Sequence, residues 1–141
     1  MDGTKVGAAG VLTPVQIVSL PCRREGQRAM NLYFLRHGLA AERDPRRFPD
    51  DSRRPLVAKG KERIRLGCAA MRALEISFDL ILSSPYPRAA QTAEIVAATL
   101  GLKKQLEFRD ELMPDGDPQV LIRYVNRLRP VPENVLLVGH E

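Results

Sequence analysis

Three short and almost uninterrupted apolar runs limit what this chain can fold into more than any other feature of its sequence. They occupy residues 31–35, 79–82 and 134–138. Runs of this length without polar alternation are typical of strands that are buried on both faces of a sheet. We therefore expect a sheet that is covered by helices on both sides.

The segments between these runs carry apolar residues at helical spacing. The three sets are Ile64, Cys68, Met71 and Leu74; Ala89, Ala93, Val96 and Leu100; and Leu121, Tyr124, Val125 and Leu128. Gly101 follows the second set as a helix-ending glycine would, and Asp117 with Pro118 marks a helix start. Val57 offers no side-chain cap to the first helix. With a weak extra strand at residues 106–109, the order predicts a three-layer α/β/α protein with a mainly parallel sheet.

The length of 141 residues supports one domain with a single core. Residues 1–29 have scattered Gly, Pro and small residues, and we expect them to be a dispensable flexible extension or the product of a mis-assigned start codon. The domain would then span residues 30–141. Because the chain ends one residue after its second histidine, we expect this domain to be incomplete at its C-terminus, with part of the sheet uncovered.

Composition excludes several classes of protein. No apolar run approaches the ~18 residues that a membrane-spanning helix needs. Two cysteines and two histidines are too few for a disulfide scaffold or a dense metal site. We expect a cytoplasmic monomer without a cofactor.

Positive charge is concentrated in residues 43–65, where nine Lys or Arg residues face four acidic ones, a net charge of +5. Phe48 is the single aromatic residue among these charges, so the stretch lacks the repeated interleaving of stacking residues that nucleic-acid-binding segments have. The patch favours a small anion or an acidic protein surface over nucleic acid, and a solvated loop is an equally good interpretation.

Polar signatures follow all three apolar runs, at residues 36–38, 83–85 and 139–141. The carboxyl ends of parallel strands form the ligand crevice of such sheets, so these residues should converge there. One histidine after a strand is more often structural, but here His37 and His140 would meet, with Arg36 and Arg88. Guanidinium groups bind phosphoryl oxygens, and a neutral imidazole can attack phosphorus. Gly38 would let a substrate approach the backbone closely.

At these residues the sequence resembles the histidine phosphatase superfamily, which has the phosphoglycerate mutase-like fold. The matching segments are Arg36-His37-Gly38, Leu82-Ser83-Ser84-Pro85, Arg88-Ala89, Gln91-Thr92-Ala93 and Val138-Gly139-His140. The short chain, the Arg54-Pro55-Leu56 element and the Gly116-Asp117 turn resemble the SixA-like phosphohistidine phosphatase branch. The resemblance implies that His37 is a transiently phosphorylated nucleophile and that Arg36, Arg88 and His140 hold the phosphate, with no metal.

Other residues near these motifs leave alternatives open. Arg54 is either a further substrate contact or a surface arginine before a proline turn. The serines of residues 83–84 are expected to shape the strand-to-helix turn. Larger relatives place a glutamate acid where this chain has Pro114. Glu111 and Asp115 are possible substitutes, although acids in a turn are more often solvent-facing.

The sequence therefore predicts a metal-independent phosphohistidine phosphatase that acts on a phosphorylated protein. Without a placed acid, esters of alcohols should react slowly, whereas imidazole, with a pKa near ~6.5, leaves readily. A small-molecule phosphomonoesterase of the same superfamily and an inactive phosphate-binding fragment are the alternatives.

Overall fold

The computed structural model describes residues 16–18 and 29–140 of the chain. It contains a five-stranded sheet and three α-helices. In chain order, the elements are β1 (Gln16–Val18), β2 (Asn31–Arg36), α1 (Ala58–Ala73), β3 (Leu80–Ser83), α2 (Pro87–Leu100), β4 (Leu106–Phe108), α3 (Pro118–Arg127) and β5 (Asn134–Gly139). Short 3₁₀ turns lie at Asp51–Arg53, Lys103–Gln105 and Asp110–Leu112.

The strand order is β1-β2-β5-β3-β4, and every pairing except that of β1 with β2 is parallel. The mainly parallel α/β architecture predicted from the sequence is confirmed. The predicted strand at residues 106–109 is also present, as the edge strand β4. No helix in the described ranges is long and apolar enough to cross a bilayer.

Strand β1 was not expected, because the sequence analysis interprets residues 1–29 as a dispensable flexible extension or the product of a mis-assigned start codon. The expectation of flexibility is wrong for residues 16–18, which pair antiparallel with β2. Three residues are too few for an alternating pattern to stand out in a sequence. In the fold they cover an edge of β2 that would otherwise present unpaired backbone groups. The rest of the predicted extension, apart from Ala29, lies outside the described residues.

The two faces of the sheet are packed unequally. Helices α1 and α2 bury one face in a large core that includes Leu136 and Val138 of β5. On the other face α3 packs on a smaller cluster built around Val135 and Leu137. Phe34 of β2 is 39% exposed on this side.

The local signals for helix ends are confirmed. Gly101 ends α2 in the left-handed conformation, with φ 73°. The Asp117 side chain accepts a hydrogen bond from the amide of Gln119 and so caps α3. Val57, at the start of α1, makes no side-chain cap hydrogen bond.

Candidate active site

The carboxyl ends of β2, β3 and β5 meet at one edge of the sheet. The His37 amide donates to the carbonyl of Gly139 at 3.0 Å, and the Ser84 amide donates to the carbonyl of Val138 at 2.9 Å. These bonds continue the parallel pairing just beyond the strands. As a result, the three polar signatures of the sequence lie together.

His37 and His140 face one another across this edge, with ring centroids 5.3 Å apart. His37 Nδ1 lies 2.8 Å from the carbonyl oxygen of Gly38. A carbonyl only accepts hydrogen bonds, so Nδ1 carries the proton and the lone pair of a neutral ring is on Nε2. Burial lowers the pKa of His37, and the positive charges of Arg88, Arg36 and Arg54 lower it further. The ring is therefore held in the neutral form that can act as a nucleophile.

His140 is held by a fully buried serine. Its Nε2 lies 2.9 Å from Ser84 Oγ, whereas its Nδ1 is buried and has no hydrogen-bond partner. Burial, followed by the charge of Arg88, lowers the pKa of His140 to about 4. This ring too is neutral at ordinary pH.

Arg88 lies in the first turn of α2, and its side chain is only 7% exposed. Its Nη1 donates to the backbone carbonyl of Asp51 at 2.9 Å, and its Nη2 is 3.5 Å from the Asp51 carboxylate. Its Nε is buried without a partner. Burial lowers the pKa of Arg88, but a guanidinium remains charged at any physiological pH.

Asp51 connects several arginines of the site, a role that the sequence analysis did not assign to it. Its carboxylate accepts from Arg54 Nε at 2.9 Å and lies 3.5 Å from Arg43 Nε. The hydrogen bond from Arg54 lowers the pKa of this carboxyl group. Asp51 is 37 residues from Arg88 along the chain, so no local pattern could have revealed the contact.

The structure brings Arg54 to the site. Its side chain is 18% exposed, and its Nη1 donates to the carbonyl of Ala41 at 2.8 Å. Arg36, in contrast, is exposed at the end of β2, where it lines an open groove together with His140. The two arginines therefore reach the site from different sides.

Gly38 lies close to α1, in addition to the role expected from the sequence. A Cβ at this position would lie 2.6 Å from Ile64 Cδ1 in α1. The missing side chain thus allows α1 to pack closely beneath the His37 loop. The Gly38 amide donates to Thr92 Oγ1 at 3.0 Å, which fixes the loop to α2.

The two candidate acids are poorly arranged for proton donation. Glu111 accepts two hydrogen bonds from Arg109, at 2.8 and 3.2 Å. A hydrogen bond from its own backbone amide, and then that from Arg109, lower its pKa. Asp115 is exposed in the following turn. An ionised, paired Glu111 has no proton to give near neutral pH.

The open groove lies between the β2–β5 part of the sheet and α3, and has a volume of about 530 Å³. Apolar residues line most of it, including Phe34, Leu112, Met113, Leu121 and Leu137. At its polar end lie Arg36, Glu111 and His140. The groove thus reaches His140, one member of the histidine pair.

Comparisons with known proteins agree with this geometry. The model of the histidine phosphatase superfamily (branch 1) matches residues 32–113. An uncharacterised protein from a Picosynechococcus species is 40% identical over 114 residues, or 79% of this chain and 67% of that protein. Phosphohistidine phosphatase SixA from Escherichia coli is 32% identical over 112 residues, with the same shares of both chains. A structure of the protein histidine phosphatase SixA complexed with tungstate has a TM-score of 0.68 at 31% identity and covers 77% of this chain and 68% of that one.

The chain therefore belongs to the histidine phosphatase superfamily, branch 1. Within the superfamily it is a member of the SixA-like branch and has the phosphoglycerate mutase-like α/β fold. This membership supports a phosphatase activity, in agreement with the histidines and arginines gathered at the sheet edge.

Proposed function

We propose that this chain is a metal-independent phosphohistidine phosphatase, which removes phosphate from a histidine of a phosphorylated protein. The observation that carries the proposal is a pair of buried nitrogens at the sheet edge, Arg88 Nε and His140 Nδ1. They are the only buried side-chain polar atoms in the described residues that lack a hydrogen-bond partner. Each unsatisfied group costs about 1–3 kcal/mol, so a site that keeps two of them is suited to a ligand rich in oxygen acceptors.

The reaction proceeds in two steps. The lone pair on His37 Nε2 forms a bond to phosphorus as the bond from phosphorus to the substrate's ring nitrogen breaks. The electron pair of that bond goes to the ring nitrogen, and the ring leaves as neutral imidazole because its other nitrogen already carries a proton. Water then attacks phosphorus and frees His37, and the second proton of the water passes to solvent or to the phosphate product.

The surrounding charges stabilise the phosphoryl group in both steps. Arg88 and Arg54 approach from one side, and Arg36 from the other. Positive charge fixed in a partly dry site stabilises charge on the phosphoryl oxygens more strongly than it would in water. The name of the E. coli relative supports the phosphohistidine substrate, and tungstate, which was bound to a SixA structure, has the tetrahedral geometry of phosphate.

A trapping experiment tests this proposal. A peptide carrying labelled phosphohistidine is mixed with the protein, and the reaction is stopped rapidly without acid. We expect label on His37, and no label or turnover in His37→Ala, while a chelator leaves turnover unchanged. Turnover that survives in His37→Ala would exclude the mechanism.

A parallel assay with an alkyl phosphate separates the alternatives. We expect the phosphohistidine peptide to be hydrolysed much faster. Faster hydrolysis of the alkyl phosphate would instead favour a small-molecule phosphomonoesterase. Tungstate binding without turnover of either substrate would indicate a phosphate-binding module.

A further inference from the structure

We propose that Ser84 is a positioning residue that fixes the His140 ring with its proton on Nδ1, aimed at the phosphoryl oxygens. This inference rests on the proposed function for its consequence but not for its geometry. Sequence reasoning assigned Ser84 only a role in shaping the turn between β3 and α2. The contact with His140 spans 56 residues of sequence.

The argument starts from the hydrogen bonds of a buried hydroxyl group. Ser84 is 0% exposed. Its Oγ accepts a hydrogen bond from the Tyr86 amide at 3.2 Å and lies 2.9 Å from His140 Nε2. A backbone amide can only donate, so the first contact uses an acceptor site of the oxygen. The hydroxyl proton still needs an acceptor, and His140 Nε2 is the acceptor within reach.

The alternative arrangement would leave that proton unsatisfied. If Nε2 carried the ring proton, Ser84 Oγ would accept from both Tyr86 and His140. Its own proton would then be buried without an acceptor among the contacts of this site, which costs about as much as any buried unmade hydrogen bond. We therefore assign the Ser84 hydroxyl as donor and Nε2 as acceptor. A neutral ring then carries its proton on Nδ1.

This assignment explains the unpartnered nitrogen of the site. Nδ1 of His140 is buried and without a partner. With a proton it is a donor and can bind a phosphoryl oxygen. With a lone pair it would instead repel that oxygen. Ser84 therefore determines whether His140 attracts or repels the substrate.

The charge of Arg88 is the competing influence on this ring. The Arg88 charge lowers the pKa of the ring, and if the guanidinium lies nearer Nδ1 than Nε2 it favours a lone pair on Nδ1 and so acts against the tautomer that Ser84 favours. The two influences make different predictions for the empty site. If Ser84 dominates, Nδ1 carries the proton both with and without a bound oxyanion. If Arg88 dominates, the proton moves to Nδ1 only when an oxyanion binds.

Nitrogen NMR of the full chain labelled with ¹⁵N-histidine measures the tautomer directly, since protonated and unprotonated ring nitrogens have well-separated shifts. We expect His140 to be protonated on Nδ1 in the free protein and with tungstate bound. Protonation on Nε2 in the free protein would overturn the proposal. This measurement does not depend on a variant that folds or on any activity, so it can fail while the proposed phosphatase function stands.

Two variants complete the test. In Ser84→Ala the proton of His140 should no longer be confined to Nδ1. Tungstate binding should weaken by about 10- to 100-fold, the range expected for one hydrogen bond to a charged group. Ser83→Ala is the matched control, because Ser83 is equally buried but donates to the Ser84 carbonyl, not to His140. It should keep the Nδ1 proton and the affinity. Equal weakening in the two variants, or an unchanged tautomer in Ser84→Ala, would show that Ser84 acts only through packing.

Discussion

The two sides of the candidate site are built differently. On the closed side, which faces α1 and α2, Arg88 is buried and Arg54 is partly buried. Asp51 pairs with both arginines, and Gly38 packs against α1. On the open side, which faces α3, Arg36 is exposed, and His140 borders an apolar groove. A phosphoryl group bound here would thus contact paired arginines on the closed side, and residues that border open space on the open side.

This difference should affect how much each side contributes to phosphate affinity. Side chains that are already held by ion pairs and hydrogen bonds lose little conformational entropy when a ligand binds, so the closed side should supply most of the binding energy. Arg36 is exposed, so solvent screens its charge more than it screens the charges on the closed side. We therefore expect the closed side to determine phosphate affinity and the open side to contribute less.

The largest expected effect on kcat/KM comes from replacing one arginine of either side with alanine. Arg88→Ala should reduce kcat/KM for a phosphohistidine peptide by about 10²–10³-fold, as for the loss of a fixed donor to a developing charge. Arg36→Ala should reduce it by about 10-fold, as for a partly exposed charged contact. Steady-state kinetics with the same peptide compare the two variants. A greater loss in Arg36→Ala would reverse the roles assigned to the two sides.

The same contrast should appear in the stability of the fold. Ile81 is 0% exposed in the core beneath α1 and α2, so Ile81→Ala should lower the free energy of unfolding by about 2–5 kcal/mol. Phe34 is 39% exposed at the groove, so Phe34→Ala should lower the free energy of unfolding by only about 1 kcal/mol. Urea denaturation measures both. A large cost for Phe34→Ala would mean that another polypeptide covers the groove in solution.

The sequence predicted the parts of this comparison that depend on local signals. The cap at Asp117 and the helix end at Gly101 involve neighbouring residues, and the three central strands are long enough to show their pattern. The contacts of Asp51 with Arg88 and of Ser84 with His140 join residues far apart in sequence, so no periodic pattern in the sequence indicates them. The close packing of Gly38 against Ile64 was not predicted either, because a glycine by itself does not indicate which atom comes close.

Acid should affect the two histidines in the same direction, although they approach the site from different strands. Burial lowers both pKa values, that of His140 to about 4. In the unfolded chain a histidine takes up a proton near pH ~6.5. The unfolded state therefore binds more protons between these values, and stability falls as the pH falls from about 6.5 towards 4. His140→Gln removes one of these groups, so its thermal midpoint should fall less between pH 7 and pH 5. Equal falls in the two proteins would show that the pKa of His140 is not lowered by folding.

The smallest effect on the rate is expected from a change at Glu111, which lies on the open side but is already paired with Arg109. Its carboxylate is paired with Arg109, whose guanidinium also stacks 3.9 Å from the centre of the Tyr124 ring. Glu111→Gln keeps the shape of this cluster and removes the charge. A placed acid contributes about 10²–10⁴-fold when the leaving group is poor. A phosphohistidine ring that already carries a proton on its other nitrogen leaves as neutral imidazole and needs no such acid. The rate with a phosphohistidine peptide should therefore change by less than about threefold, well below the contribution of a working acid.

The exposed Asp115 provides the matched control, since Asp115→Asn removes a charge from the same turn without touching the Arg109 pair. Both variants should resemble the unaltered protein with the peptide and remain slow with an alkyl phosphate. If Glu111→Gln alone loses about 100-fold on the alkyl ester, Glu111 must leave Arg109 and protonate the departing oxygen, as a working general acid would. The open side would then supply the proton for leaving groups that the closed side cannot expel, and the substrate would be an ester of a small alcohol instead of a phosphohistidine.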